Sequence, residues 1–201
     1  VGSDFGFGAR GEGCASDLAA LGLRHGFEVI AHQLIEKDGS AISSTRIRNL
    51  IEAARIDEAA ALLGRPHFLS GTVMHGRGQG ASFGFPTANI SLSPKDCMPA
   101  DGVYACYIVD TQKPGGEEIW PAAVNVGVPR SFEVKKTPLL EANLLGFKGN
   151  LYGHTLNCVF MNYLRPIVFQ SVEELSTTVL KNIEWVRTHL DSVAQEASCD
   201  N

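Results

Sequence analysis

After residue 66 the apolar pattern of the chain shortens from helical to strand-like spacing and keeps that spacing until the final segment. "HFLSGTVMHG" (67–76), "GVYACYIVD" (102–110), "IWPAAVNVG" (119–127), "LEANLLGF" (140–147) and "HTLNCVFMNYL" (154–164) are short β-type runs separated by Gly, Pro and Asp turns. No helical pattern interrupts them. Several strands at such spacing, without helices between them, predict a sandwich or a barrel. The last segment is different. Ser171 and Glu174 form a capping box, and Val172, Leu175, Val179, Ile183, Val186 and Leu190 recur at steps of three and four. That stripe predicts a helix laid with its apolar face against the β structure.

Residues 1–66 have another pattern. "VGSDFGFGARGEG" is a short apolar strand that breaks into glycines, and an Ala- and Leu-rich helix comes next, around Ser16–Leu23. "FEVIAHQLI" (27–35) is β-branched and aromatic and predicts a strand. After the turn at Asp38–Gly39, Ser43 or Ser44 suits a helix cap, Asp57 the start of a second helix and Gly64 its stop. Strand–helix–strand–helix order belongs to an α/β architecture, but two strands are too few to close such a sheet. The expected division is 1–66 and 67–201.

The net charge of −5 argues against a general polyanion binder, which ordinarily carries a basic face. Five cysteines, none in a C-x-x-C pair, suggest neither a disulfide framework nor a zinc knuckle. Idle thiols in a reducing cytoplasm are the expectation. No apolar run is long enough to span a bilayer and no basic-then-apolar leader is present, so no membrane partner is expected.

The chemistry is concentrated in three stretches. Gly71, Gly76, Gly78, Gly80 and Gly84 surround His75, Arg77 and Gln79 without forming a Walker-type loop. Such a stretch is either a glycine-rich hairpin or an anion-binding concavity of backbone N–H groups. "FPTAN" (85–89) comes directly after it, with Pro86 stiffening the approach to Thr87. Thr87 and Asn89 are two apart, so on an extended segment both face one way. Their neutral oxygens suit Mg²⁺ completed by phosphates and water, or equally a turn's own backbone groups. Glu141, among Leu139, Leu140, Leu144 and Leu145, is either a solvated strand residue or a general base. Phosphoryl transfer needs a cation, phosphate-holding donors and one proton acceptor, and the three stretches together provide that set.

In order, the glycine-rich loop, "GFPTAN", "DGVYA" (101–105), "NVG" (125–127), Glu141 in "EANLLGFKGNLYG", "YLRP" and the terminal amphipathic helix resemble the riboflavin kinase domain across residues 67–190. "VGSDFGFGARGEG" and "ISSTRIR" (42–48) resemble the end of the FMN adenylyltransferase domain. That domain precedes the kinase in bacterial bifunctional riboflavin kinase/FAD synthetases. The resemblance implies a mainly β fold, a six-stranded antiparallel Greek-key barrel with a C-terminal helix outside, preceded by a partial α/β nucleotidyltransferase domain. It implies that Thr87 and Asn89 hold Mg²⁺ and the ATP phosphates. Glu141 would take the proton of the riboflavin 5′-hydroxyl, with FMN as the product. Gly76, Arg77, Gly78 and Gly80 would cover the nucleotide, "DGVYA" and Asn125 would frame the pocket, and Arg165 would sit near the flavin. Upstream, Ser43, Ser44, Thr45, Arg46 and Arg48 match the second nucleotide motif of the adenylyltransferase, which joins FMN to AMP to make FAD. Helix-start N–H groups with two arginines suit a polyphosphate.

The sequence departs from the family in three places. No His-x-Gly-His-like turn comes after the opening run, so the chain as given is not expected to complete adenylyl transfer. "NVGVPRSF" (125–132) places Pro129 one position early, with Arg130 and Ser131 after it. Gly146 stands where the family often has Asp. Two other classes remain open from the residues alone: a flavin- or nucleotide-binding barrel without catalysis, and a nucleic-acid-binding barrel. The charge and the 8% aromatic content speak against the second.

Overall fold

The computed structural model describes residues 1–76, 85–113, 115–127, 139–167 and 172–196, without the side chains of 172–176 and 191–196. The chain divides into two compact units, Val1–Arg46 and Ile47–Asn201.

In the first unit, helix α1 (Ala15–His25) starts at a capping box in which the Cys14 N–H donates to Asp17 Oδ2 at 2.9 Å. Strands β1 (Glu36–Lys37) and β2 (Ser40–Ala41) make a minimal antiparallel hairpin. The strand expected over 27–35 is reduced to one parallel bridge, Gly2 with His32. Phe27, Ile30 and Ile35 in that run stay exposed. β-Branched composition alone does not zip a ladder when neither face of the run is buried.

Helix α2 (Ser44–Glu52) leads into α3 (Ile56–Leu63), which Gly64 stops in the left-handed conformation, φ 72°, donating to the Ala60 carbonyl. Leu50, Ile51 and Ala59 form a small buried cluster, and Ile56 enters the core of the β structure. Residues on the N-terminal side of position 67 therefore help to build the core of the second unit.

The strands β3 (His67–Met74), β4 (Ala88–Ser91), β5 (Gly102–Asp110), β6 (Glu118–Val126), β7 (Leu139–Leu144) and β8 (Thr155–Arg165) close into a barrel in the order β3-β4-β7-β6-β5-β8. All pairings are antiparallel. β8 lies beside β5, the first of three sequential strands that pair in turn, which is Greek-key connectivity. Alternate residues point inward. Ile90, Leu140 and Val126 form one such rung, and Ala88, Ala142 and Val124 form the next. Tyr104, Ile108, Leu156 and Phe160 fill the interior from the other wall.

Helix α4 (Val172–Glu196) lies outside the barrel. Ile183, Val186 and Leu190 are buried, Val186 and Leu190 against Ala105 with Ala123, Met161 and Trp185 nearby, as the stripe predicts. Tyr107 Oη donates to the Leu190 carbonyl at 2.8 Å. Ser171 lies outside the described residues, and so do the side chains of Val172, Glu174 and Leu175.

Candidate active site

The register of β7 decides the geometry of the site. Its core-facing residues, Leu140 and Ala142, flank Glu141, so Glu141 points to the outside of the barrel and is half-buried there. Asn89 on β4 is the direct cross-strand partner of Glu141 on one side, and Asn125 on β6 is its partner on the other. Ile90 is in the core, as are Val124 and Val126, so Asn89 and Asn125 face outward with Glu141. Directly opposed residues hold their Cβ atoms about 4.5–5.5 Å apart. One row on three adjacent strands thus brings an amide, a carboxylate and a second amide side by side on the outer wall.

Thr87 precedes β4 by one residue and is half-buried. Gly76, just past β3, lies against Asn89. A Cβ added there would stand 2.2 Å from Asn89 Nδ2, so only glycine lets the chain pass so close. Asn143, which the sequence pattern did not single out, is buried on the outward face two residues after Glu141. Its Nδ2 donates to the Pro86 carbonyl at 2.9 Å. The period of two on β7 was the available signal.

Among the described residues the Glu141 carboxylate has no hydrogen-bonding or ionic partner. It is the one charge among Asn89, Glu141 and Asn125. No group of three or more His, Cys, Asp or Glu that could hold a metal occurs among the described residues. The neutral oxygens of Thr87 and Asn89 beside one carboxylate fit Mg²⁺, which is commonly bound through few protein ligands and substrate phosphates.

The other expected residues are spread around this row. Arg77, Gly78 and Gly80 lie outside the described residues, as do Pro129, Arg130 and Ser131. Val103 pairs with both Asn125 and Arg165, so Arg165 continues the row on β8. Three of the six strand steps round the closed barrel separate it from Glu141. Its Nε donates to Asn182 Oδ1 on α4 at 3.2 Å, and both border a cavity of about 270 Å³ with Tyr163, Lys181 and Trp185. Burial pulls the Arg165 pKa down, with Tyr163 opposing, but a guanidinium keeps its charge in proteins.

In the first unit the Arg46 Nη1 donates to the Lys37 and Ser40 carbonyls, stapling the β1–β2 turn. Ser43 Oγ accepts from the Arg46 N–H at 3.2 Å. Ser44, Thr45 and Arg48 are placed on α2, the helix that the expected motif opens.

A closed six-stranded antiparallel barrel with an outer C-terminal helix, carrying an Asn–Glu–Asn row on its wall, defines a narrow class of protein. The family model described as riboflavin kinase matches residues 63–190, and the chain belongs to that family. It is 38% identical over 189 residues to the bifunctional riboflavin kinase/FMN adenylyltransferase of Pseudomonas fluorescens, covering 93% of this chain and 58% of that protein. The protein of the same name from Escherichia coli K12 is 34% identical over 184 residues, 90% of this chain and 56% of that protein. The chain thus spans a little over half the length of these relatives. A crystal structure described as a macrolide-efflux protein from Streptococcus pneumoniae superposes with a TM-score of 0.77 at 33% identity, over 92% of this chain and 58% of that one.

Proposed function

We propose that the barrel is an ATP:riboflavin 5′-phosphotransferase that makes FMN. The observation that carries this reading is the ladder register Asn89–Glu141–Asn125, which puts a carboxylate between two side-chain amides on one wall. Glu141 accepts the proton of the 5′-hydroxyl as that oxygen bonds to the γ-phosphorus. The bond from the γ-phosphorus to the bridging oxygen breaks, and ADP leaves. Thr87 and Asn89 would hold Mg²⁺, which when bound draws charge from the phosphates. Gly76 lets the chain cross Asn89 closely, with Arg77, Gly78 and Gly80 next in sequence as cover for the nucleotide. Asn125 borders the reacting centre, and Arg165 lies at the flavin end of the row.

The same reading assigns residues 1–66 to the C-terminal part of an FMN adenylyltransferase domain, with Ser43, Ser44, Thr45, Arg46 and Arg48 as its second nucleotide motif. The bifunctional names of relatives that match over 90% or more of this chain support that assignment. FAD synthesis is accordingly proposed for the whole protein.

The test is direct. Riboflavin, ATP and Mg²⁺ should yield FMN by chromatography, and Glu141→Gln should lower turnover by roughly 10²–10⁴-fold, the range of a lost general base. A Gln variant that turns over normally rejects Glu141 as the base. Tight flavin binding with no ATP consumption by the parent protein rejects the kinase reading altogether.

A further inference from the structure

We infer that Asn143 is a positioning residue that clamps the Thr87 segment to the strand carrying Glu141. This inference rests on the proposed kinase activity for its catalytic consequence, but its structural basis is independent of that activity. The β4–β7 ladder ends at Ala88–Ala142, and the β3–β4 ladder ends one rung earlier, at Met74–Asn89. Thr87 therefore lies beyond the last rung on both sides. Pro86 has no N–H, so the ladder cannot be extended through it by a backbone donor. The Asn143 amide supplies a bond there instead, donating from Nδ2 to the Pro86 carbonyl at 2.9 Å across 57 positions of sequence. Its partner oxygen belongs to the peptide group whose nitrogen is that of Thr87.

Thr87 is thus held on one side by the first rung of β4 and on the other by a side chain. That side chain stands two residues from Glu141 on the same strand and the same face. One strand carries both the proposed proton acceptor and the fastener of the backbone entering Thr87. The amide is buried, which strengthens the bond and makes its loss harder to replace with water.

The experiment compares Asn143→Leu, which keeps the branching of the side chain and loses the donor, with Asn143→His, which restores an N–H at a similar distance from the backbone. The first readout is hydrogen exchange of the unliganded protein. Peptides spanning 85–91 should exchange faster in the Leu variant and recover protection in the His variant, while peptides within β5 and β8 stay unchanged. The second readout is kinetic. The Leu variant should lose on the order of 10²-fold in kcat, the cost of an ångström-scale misplacement, and need more Mg²⁺ for half-maximal rate. Its KM for riboflavin should stay close to that of the parent, and the His variant should recover most of the loss.

Unchanged exchange at 85–91 in the Leu variant overturns the clamp. Faster exchange with unaltered kcat and Mg²⁺ dependence overturns its catalytic role. A uniform loss of protection across the barrel, with His no better than Leu, overturns positioning in favour of general stability. A parent protein that makes no FMN overturns the catalytic role together with the functional reading, and an exchange effect confined to 85–91 then shows that the functional reading is what failed.

Discussion

Gly76 and Asn89 touch so closely that their identities constrain each other. The backbone at Gly76 needs no left-handed φ, so its requirement is steric and local: a methyl group would displace the Asn89 amide. Gly76→Ala is expected to lower phosphotransfer by roughly 10–100-fold through that displacement. Gly76 is exposed, and so the melting temperature should change little. Matched activity and thermal-shift measurements check both halves. A second residue-level expectation concerns His67, which is buried, stacks on Phe160 and bonds through Nε2 to the Cys97 carbonyl at 3.0 Å. Burial lowers its pKa, and the Cys97 bond only partly opposes this. The folded state therefore holds the ring neutral more firmly than the unfolded chain does. Stability is fully present above the unfolded value of about 6.5 and falls as pH drops below it towards the lower folded pKa. Melting curves from about pH 7.5 to about pH 5.5, spanning that unfolded value, should decline more steeply for the parent than for His67→Gln.

At the scale of elements, β7 and α4 divide the work. β7 sits between β4 and β6 and brings Glu141 to both of its polar neighbours; no other strand could do so. Helix α4 covers the barrel wall at β5 and β6, where Leu190 is buried and its carbonyl accepts from Tyr107. Leu190→Ala leaves that backbone bond in place and removes only packing, at an expected cost of about 2–4 kcal/mol. Denaturant unfolding measures it, and a cost below about 1 kcal/mol would show that the helix end is not held by this contact. The β-type runs and the helical stripe were legible because burial here alternates with the period of each element. The run 27–35 was not, because a strand-like composition says nothing about whether a face exists to bury it. The opposition of Asn89 to Glu141 was also hidden. Sequence spacing shows which residues share a face of one strand, but the rung they occupy is set by loops and packing far along the chain. Asn143 went unseen for a related reason, since its partner is a backbone oxygen 57 positions away.

For the molecule as a whole, the buried Asp110 closes one end of the barrel. Its carboxylate accepts from His154 Nδ1 at 2.7 Å and from the Gln112 N–H at 2.9 Å, tying the end of β5 to the loop before β8. Burial alone would raise its pKa, but these bonds prevail and lower it. Its contribution is thus present at neutral pH and fades in acid, a window separate from that of His67. The insertion of β7 between β4 and β6 has a consequence for how the protein is made. As the polypeptide leaves the ribosome, Thr87, Asn89 and Asn125 emerge well before Glu141, and until β7 arrives β4 and β6 each keep one unpaired edge. A growing chain therefore carries sticky borders, and the carboxylate that stands between the two amides comes last. The arrival of β7 settles both at that gap, and β8 then seals the second one, between β3 and β5.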